Sequence, residues 1–261
     1  MTSTPQPLAS LSALLGLKPG DMAAVMGAGG KATVMKRLVR ELLDAGTPVI
    51  VTSTTNLHGL GEEEGVSLFL SGEGRGRVQE AAAAWAARGP VVWVEKKLPQ
   101  NMFRGLPAGQ VEALHAQGFG GVLVVKTDGA RKRLIKAPGE GEPVIPRGAT
   151  HCVLVLGLSA LGRHAGPLIV HRGERVAALT GLQLGQRITP AHLAALAAHP
   201  ESYPSRLPPG ARRVLYLSHC TGPGKLALAE EVWRAIPRGR YDLLLAGDTV
   251  EGRFYAGGGE A

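Results

Sequence analysis

The order of residues 22 to 45 restricts this chain more than any other feature. An apolar run from Met22 to Met26 leads directly into Gly27-Ala28-Gly29-Gly30-Lys31-Ala32-Thr33, and a helical pattern then runs to Ala45 before Gly46. Strand, glycine-rich turn and helix in that order make a cradle for anions. Glycine adopts positive φ without steric cost and has no Cβ to block an approaching phosphate. The helix adds unpaired N–H groups and the positive end of its dipole. Lys31 then supplies a point charge over the outer phosphates, and Thr33 offers a hydroxyl to magnesium. The spacing G-x-x-G-K-x-T is shorter than the common phosphate loop, G-x-x-x-x-G-K-[ST]. Gly27-x-Gly29 also opens like a dinucleotide fingerprint, with Ala32 at its third position. The second strand, however, ends in Thr52-Ser53-Thr54-Thr55, where that fold holds a ribose with an acidic residue.

Short runs of Val, Leu and Ile alternate with helical patterns along the rest of the chain, which predicts parallel strands joined by crossover helices. The strands expected are Pro48–Thr54, Ser67–Leu70, Val91–Glu95, Val122–Thr127, Cys152–Gly157, Val214–Ser218 and Asp242–Ala246. Helices are expected at Arg77–Ala87, Gln110–Gln117, Pro190–Ala198 and Lys225–Ile236, while Ala137–Ala149 and Pro200–Gly210 read as loops. The strand runs are nearly continuous, as in sheets covered on both faces. The fold expected is therefore α/β and P-loop-type, a mostly parallel sheet with helices on both faces. One domain is expected over residues 1–261, with residues from about 150 to 261 as a C-terminal subregion of the same sheet.

Ligands of open α/β sheets gather at the carboxyl ends of strands, and two more strand ends carry polar chemistry. Thr54 and Thr55 are placed to meet phosphate oxygens or a reacting water. Asp128, followed by Gly129-Ala130, closes the apolar run Val122–Thr127, the usual place for a second magnesium contact. The basic stretch Arg131-Lys132-Arg133 follows. Arg131 is a candidate for neutralising a transferring phosphate. Lys136, Glu142 and Arg172 are candidates for binding a substrate. The catalytic set is thus Lys31, Asp128 and Arg131, and the metal set is Thr33 and Asp128.

Gly27-Ala28-Gly29-Gly30-Lys31, Thr54-Thr55, Asp128-Gly129-Ala130-Arg131, Ile135-Lys136-Ala137-Pro138 and Glu142-Pro143-Val144-Ile145-Pro146 together resemble the YqeC family. The resemblance extends to Gly157-Leu158-Ser159-Ala160-Leu161-Gly162 and His171-Arg172. It implies a P-loop-like fold and a role in maturing selenium-dependent molybdenum hydroxylases, with such a hydroxylase or its cofactor as partner. Three departures stand out. Lys126 occupies a position where the family usually has an acid. Ala32 replaces the threonine that follows the loop lysine. Ser218-His219-Cys220-Thr221 stands where members carry Asn-Lys-x-Asp, a guanine-reading pattern.

Composition narrows the partners. The net charge is +8, which suits an anionic ligand and also nucleic acid. Aromatic residues make up only 4%, too few for a base-stacking platform, which argues against nucleic acid. No apolar run approaches the roughly 20 residues of a membrane span, and Met1–Pro7 lacks the pattern of a secretory signal. A cytoplasmic location without membrane association is expected, with Cys152 and Cys220 reduced and buried. The function expected is magnesium-dependent binding of ATP or GTP with hydrolysis or phosphoryl transfer. The alternatives are a nucleotide-switched chaperone without hydrolysis, a basic nucleic-acid-binding protein and a dinucleotide-dependent oxidoreductase.

Overall fold

The computed structural model describes residues 10–58, 65–71, 84, 86 and 88–257. Among them are helices α1 (Leu11–Leu15), α2 (Lys31–Asp44), α3 (Ala108–Ala116), α4 (Gly173–Thr180), α5 (Pro190–Ala198) and α6 (Pro223–Ala235). The strands are β1 (Met22–Ala28), β2 (Val49–Ser53), β3 (Leu57–His58), β4 (Ser67–Leu70), β5 (Val91–Val94), β6 (Lys96–Leu98) and β7 (Met102–Arg104). They continue with β8 (Val122–Lys126), β9 (Ile135–Lys136), β10 (His151–Gly157), β11 (Val170–His171), β12 (Arg212–Ser218), β13 (Leu243–Asp248) and β14 (Arg253–Ala256). The helix expected at Arg77–Ala87 lies almost wholly outside the described residues. No helix among the described residues is long and apolar enough to cross a membrane.

The main sheet runs β14-β13-β12-β10-β1-β8-β2-β5-β4. Every pairing in it is parallel except β13 with β14. Strands from before and after residue 150 join in this one sheet, with β1 between β8 and β10. Alternate side chains of a strand point to opposite faces, and the core divides accordingly. Met22, Ala24 and Met26 of β1, Leu123 and Val125 of β8, and Leu154 and Leu156 of β10 pack on one face. Helices α3, α4, α5 and α6 cover that face through residues such as Leu114, Val176, Leu193 and Val232. Val25, Val122, Val124, Val153 and Val155 pack on the other, under Leu11 and Leu15 of α1 and Val34, Met35, Leu38 and Leu42 of α2. Each fully buried Val or Leu is worth about 1.5–3 kcal/mol, so continuous apolar strands are what a sheet covered on both sides requires. The α/β, mostly parallel fold with helices on both faces is thereby established.

Several elements escape a reading of hydrophobic runs. β14 is an antiparallel edge in which Phe254 alone is buried. Helix α4 has only eight residues. β9 with β11, and β3 with β7 and β6, form two small separate sheets. β1 also runs two residues further than its apolar pattern, because Gly27 and Ala28 still pair with Val155 and Leu156 of β10. Gly27 is thus strand and loop at once. Its φ is +99° and a Cβ there would sit 2.2 Å from the Val155 carbonyl oxygen. Gly27→Ala should therefore cost at least about 2 kcal/mol through backbone strain and overpacking. Urea unfolding measures it, and a loss within about 0.5 kcal/mol, the range of an ordinary surface change, would contradict this packing.

Candidate functional site

Parallel pairing aligns the carboxyl ends of the central strands on one edge. Lys126 stands beside Val25 of β1 and Ser53 of β2, and Gly157 of β10 stands beside Ser218 of β12. The glycine loop fits between these ends. A Cβ on Gly29 would meet the Gly157 Cα at 2.7 Å, and one on Gly30 would meet the Ser218 hydroxyl at 2.9 Å. The Ser218 hydroxyl donates to the Gly29 carbonyl. Gly30, at φ +123°, then turns the chain into α2, whose amino end has no side-chain cap and no acidic residue in its first turn. The first N–H groups of a helix have no intrahelical acceptor, so this end is a ready anion site.

A cleft of about 810 Å³ opens there. One wall is Gly29, Gly30, Lys31, Ala32 and Met35, and the others include Asn56, His58, Lys126, the 129–134 segment and His219. Five of its lining residues are cationic, Lys31, Lys126, Arg131, Lys132 and Arg133, and none is a carboxylate. Arg131 and Lys132 both adopt left-handed backbone, at φ +48° and +60°, a conformation uncommon for residues other than glycine. His219 does the same at φ +60°. Lys126 donates to the Asn56 carbonyl and to the Thr55 hydroxyl at 3.3 Å. Burial, reinforced by the charge of Lys31, brings the Lys126 ammonium down to about 8.

Beneath the cleft runs a buried chain of alternating charge. Lys31 lies 2.9 Å from one oxygen of Asp128 and donates to the Gly27 carbonyl. The other Asp128 oxygen accepts the Gly27 N–H at 3.0 Å and faces the Lys136 ammonium at 2.9 Å. Lys136 continues to Glu142 at 2.8 Å, and Glu142 to Arg172 at 2.8 Å. Lys136 also donates to the Gly129 carbonyl at 2.8 Å. The buried Tyr203 hydroxyl donates weakly to Asp128 and to the Lys136 carbonyl, each at 3.5 Å. Burial alone would push the Asp128 carboxyl up, but the two lysines outweigh it and hold it below the ordinary range. Glu142 behaves alike: burial raises it, and Arg172 and Lys136 bring it down to about 2. Burial lowers the Lys31 ammonium despite the attraction of Asp128.

Among the residues singled out in the sequence, Gly29, Gly30, Lys31, Ala32 and Arg131 line the cleft. Lys136, Glu142 and Arg172 join Asp128 in the buried chain. Lys31, placed by its sequence over the outer phosphates, is instead buried against Asp128 in this structure. Thr33 is not among the cleft's lining residues. Ala32 and Met35 flank Lys31 there instead, Met35 because positions four apart share a helix face. Thr54 is committed elsewhere, its hydroxyl donating to the Val144 carbonyl at 2.6 Å. Thr55 reaches the site only through Lys126. The second glycine–lysine sequence, Gly222-Pro223-Gly224-Lys225, starts α6, and its lysine donates to the Leu158 carbonyl at 3.0 Å. Cys152 and Cys220 are free and buried. Lys126, Lys132, Arg133, His219 and Tyr203 were not chosen as site residues. Lys126 signalled itself by ending β8, and Tyr203 by being an aromatic in a Pro-rich segment of an aromatic-poor chain.

These features define a mostly parallel α/β protein with a basic cleft beside the glycine loop, at the carboxyl edge of its sheet. The family model described as YqeC protein matches residues 23–174, more than half of the chain, and the chain belongs to the YqeC family. It is 26% identical over 251 residues to a protein of Escherichia coli (strain K12) described as "Uncharacterized protein YqeC", covering 96% of each. A solved structure, chloroplast FtsY from Physcomitrella patens, aligns with a TM-score of 0.40 at 16% identity, over 88% of this chain and 60% of that one.

The buried chain yields two expected outcomes. Asp128→Asn leaves Lys31 and Lys136 without their shared counter-charge and should cost about 3–5 kcal/mol, as breaking a buried ion pair does; urea unfolding at pH 7 measures it, and a cost under about 1 kcal/mol would contradict the geometry. Glu142 is held below its unfolded value, so its contribution is complete above about pH 4.3 and is lost as pH falls toward about 2. The stability gap between the native chain and Glu142→Gln should therefore narrow between pH 5 and about pH 2.5. A gap independent of pH in that window would show that the Glu142 charge is not stabilising.

Proposed function

We propose that the chain binds a nucleoside triphosphate in this cleft, with its phosphates on the Gly27–Thr33 loop, and couples binding to hydrolysis or phosphoryl transfer. One observation carries the proposal: the uncapped amino end of α2 opens into a cleft with five cationic lining residues and no carboxylate. A polyanion supplies the charge that such a wall lacks, and the cleft volume suits a nucleotide, since small-molecule pockets span about 300–1,000 Å³. Lys31 would exchange Asp128 and the Gly27 carbonyl for phosphate oxygens. Arg131, Lys126 and Lys132 would meet the outer phosphates from the opposite wall.

The donor set fits magnesium only as an ion brought in on the phosphates. No group of three or more potential ligands from His, Cys, Asp and Glu occurs among the described residues, and magnesium commonly takes one or two carboxylates plus phosphate oxygens. Asp128, the carboxylate against Lys31, would hold it, and the ion would neutralise charge on the phosphates. Thr33, the other candidate ligand, would have to reach round the helix. Ser218-His219-Cys220-Thr221 offers no carboxylate to the guanine edge, which favours weak base selectivity or a preference for ATP. The family's association with selenium-dependent molybdenum hydroxylases supports a place in the maturation of such an enzyme.

The buried ion pair supports a second reading, a switch that binds without turnover. Moving Lys31 between Asp128 and phosphate would change the partners of Lys136, Glu142 and Arg172, a discrete rearrangement of the kind switches use. Release of more than one phosphate per chain separates an enzyme from such a switch.

Lys31→Ala should lower the affinity for ATP and GTP with magnesium at least about tenfold, since a charge-assisted hydrogen bond is worth about 1.5–3 kcal/mol. Calorimetric titration of the folded variant tests this, and unchanged affinity for both nucleotides would remove the loop from the site.

A further inference from the structure

A second cavity, of about 800 Å³, lies on the other side of the 131–133 segment. Arg131 and Arg133 line both cavities and form their common wall. Arg172 and Arg175 add two more guanidinium groups to the second one, against a single lining carboxylate, Glu174. Arg172 is already paired with Glu142. Arg131 and Arg175 have no carboxylate partner among the described residues, and the Arg175 Nε is buried without a hydrogen bond. The remaining wall is mostly apolar, with Val170, Val176 and Leu182, two polar residues, His171 and Gln183, and Leu184 at 83% exposure on the rim.

We propose that this cavity binds a second substrate, an organic phosphate monoester with an apolar body. Its head would lie against Arg131, Arg133 and Arg175, and its body along the Val170–Leu182 wall. Guanidinium groups match the paired oxygens of a phosphate. Three of them with one opposing carboxylate leave an excess charge that a dianion satisfies and a monocarboxylate only half fills. The apolar wall excludes inorganic phosphate as the preferred ligand, because a bare anion leaves that wall in water. Binding in this cavity stands independently of the nucleotide reading. Its coupling to the neighbouring cleft rests on that reading, through the shared Arg131–Arg133 wall and the ionic chain from Lys31 to Arg172. A nucleotide should accordingly change the affinity for the monoester at least about fivefold, the lower end of ordinary coupling between sites.

Calorimetry on the full chain with phenyl phosphate, benzoate and inorganic phosphate tests the assignment. Phenyl phosphate should bind at least about tenfold tighter than either of the others, a difference of about 1.4 kcal/mol. Arg175→Ala should weaken phenyl phosphate by about tenfold and leave ATP affinity within about twofold. Lys31→Ala should do the reverse. Should Arg175→Ala fail to fold, Leu184→Glu, at an exposed rim position, sets a like charge at the mouth and should weaken phenyl phosphate without touching ATP. Benzoate binding as well as phenyl phosphate would overturn the proposal. So would phenyl phosphate binding lost in Lys31→Ala and kept in Arg175→Ala, which would put the ligand in the nucleotide cleft. Phenyl phosphate bound as expected by a chain that binds no nucleotide would refute the nucleotide reading and uphold this one.

Discussion

Asp128 has no solvent exposure, yet it faces two ammonium groups and accepts the Gly27 N–H. A buried carboxylate of this kind is stable only when its partners are held in place. Here three different segments hold them. Lys31 comes from the first turn of α2, Lys136 from β9, and the Gly27 amide from the end of β1. Fixing Asp128 therefore fixes the glycine loop to the end of β8 and draws the 128–146 segment over the edge of the sheet. The Val144 N–H completes this by donating to the Thr127 carbonyl at 2.9 Å, while Thr54, just after β2, donates to the Val144 carbonyl.

The glycine loop obeys a second constraint, close backbone contact. Gly27, Gly29 and Gly30 lie so near to Val155, Gly157 and Ser218 that any side chain would collide. Their positive φ values of +99°, +77° and +123° would also strain another residue. The loop is thus shaped by β10 and β12, which lie to one side of β1, as much as by its own sequence.

What the sequence made legible follows from this physics. Apolar strands covered on both faces give long unbroken runs, and β1, β2, β8, β10 and β12 could be placed within a few residues. Helix α2 showed itself by the stripe Val34, Met35, Leu38 and Leu42. Elements with one buried side chain, such as β14, leave no such trace. The site was legible where residues follow one another, as in the loop, and where a strand ends in a polar residue, as at Asp128. It was not legible where it depends on direction. Sequence order cannot reveal that Lys31 turns inward to Asp128, or that Thr33 lies off the cleft while Ala32 lines it. Nor can it bring Tyr203 beside Asp128 across 75 positions.

Two opposite uses of charge meet at Lys31. In the buried chain every cation faces a carboxylate: Lys31 and Lys136 face Asp128, and Lys136 and Arg172 face Glu142. In the cleft above it no lining residue is a carboxylate. Lys126 is central to that imbalance, because an acid at the same place would reverse its contribution. An acid there would neutralise part of the wall and compete for Lys31. A lysine does neither, and its ammonium, at about 8, keeps most of its proton at neutral pH. Crowding by Lys31 is one reason that value is low, and an anion entering between the two would relieve the repulsion. In the nucleotide reading proposed above, Lys126 would favour an anion twice, by adding a positive charge and by having no carboxylate to offset it among the cleft's lining residues.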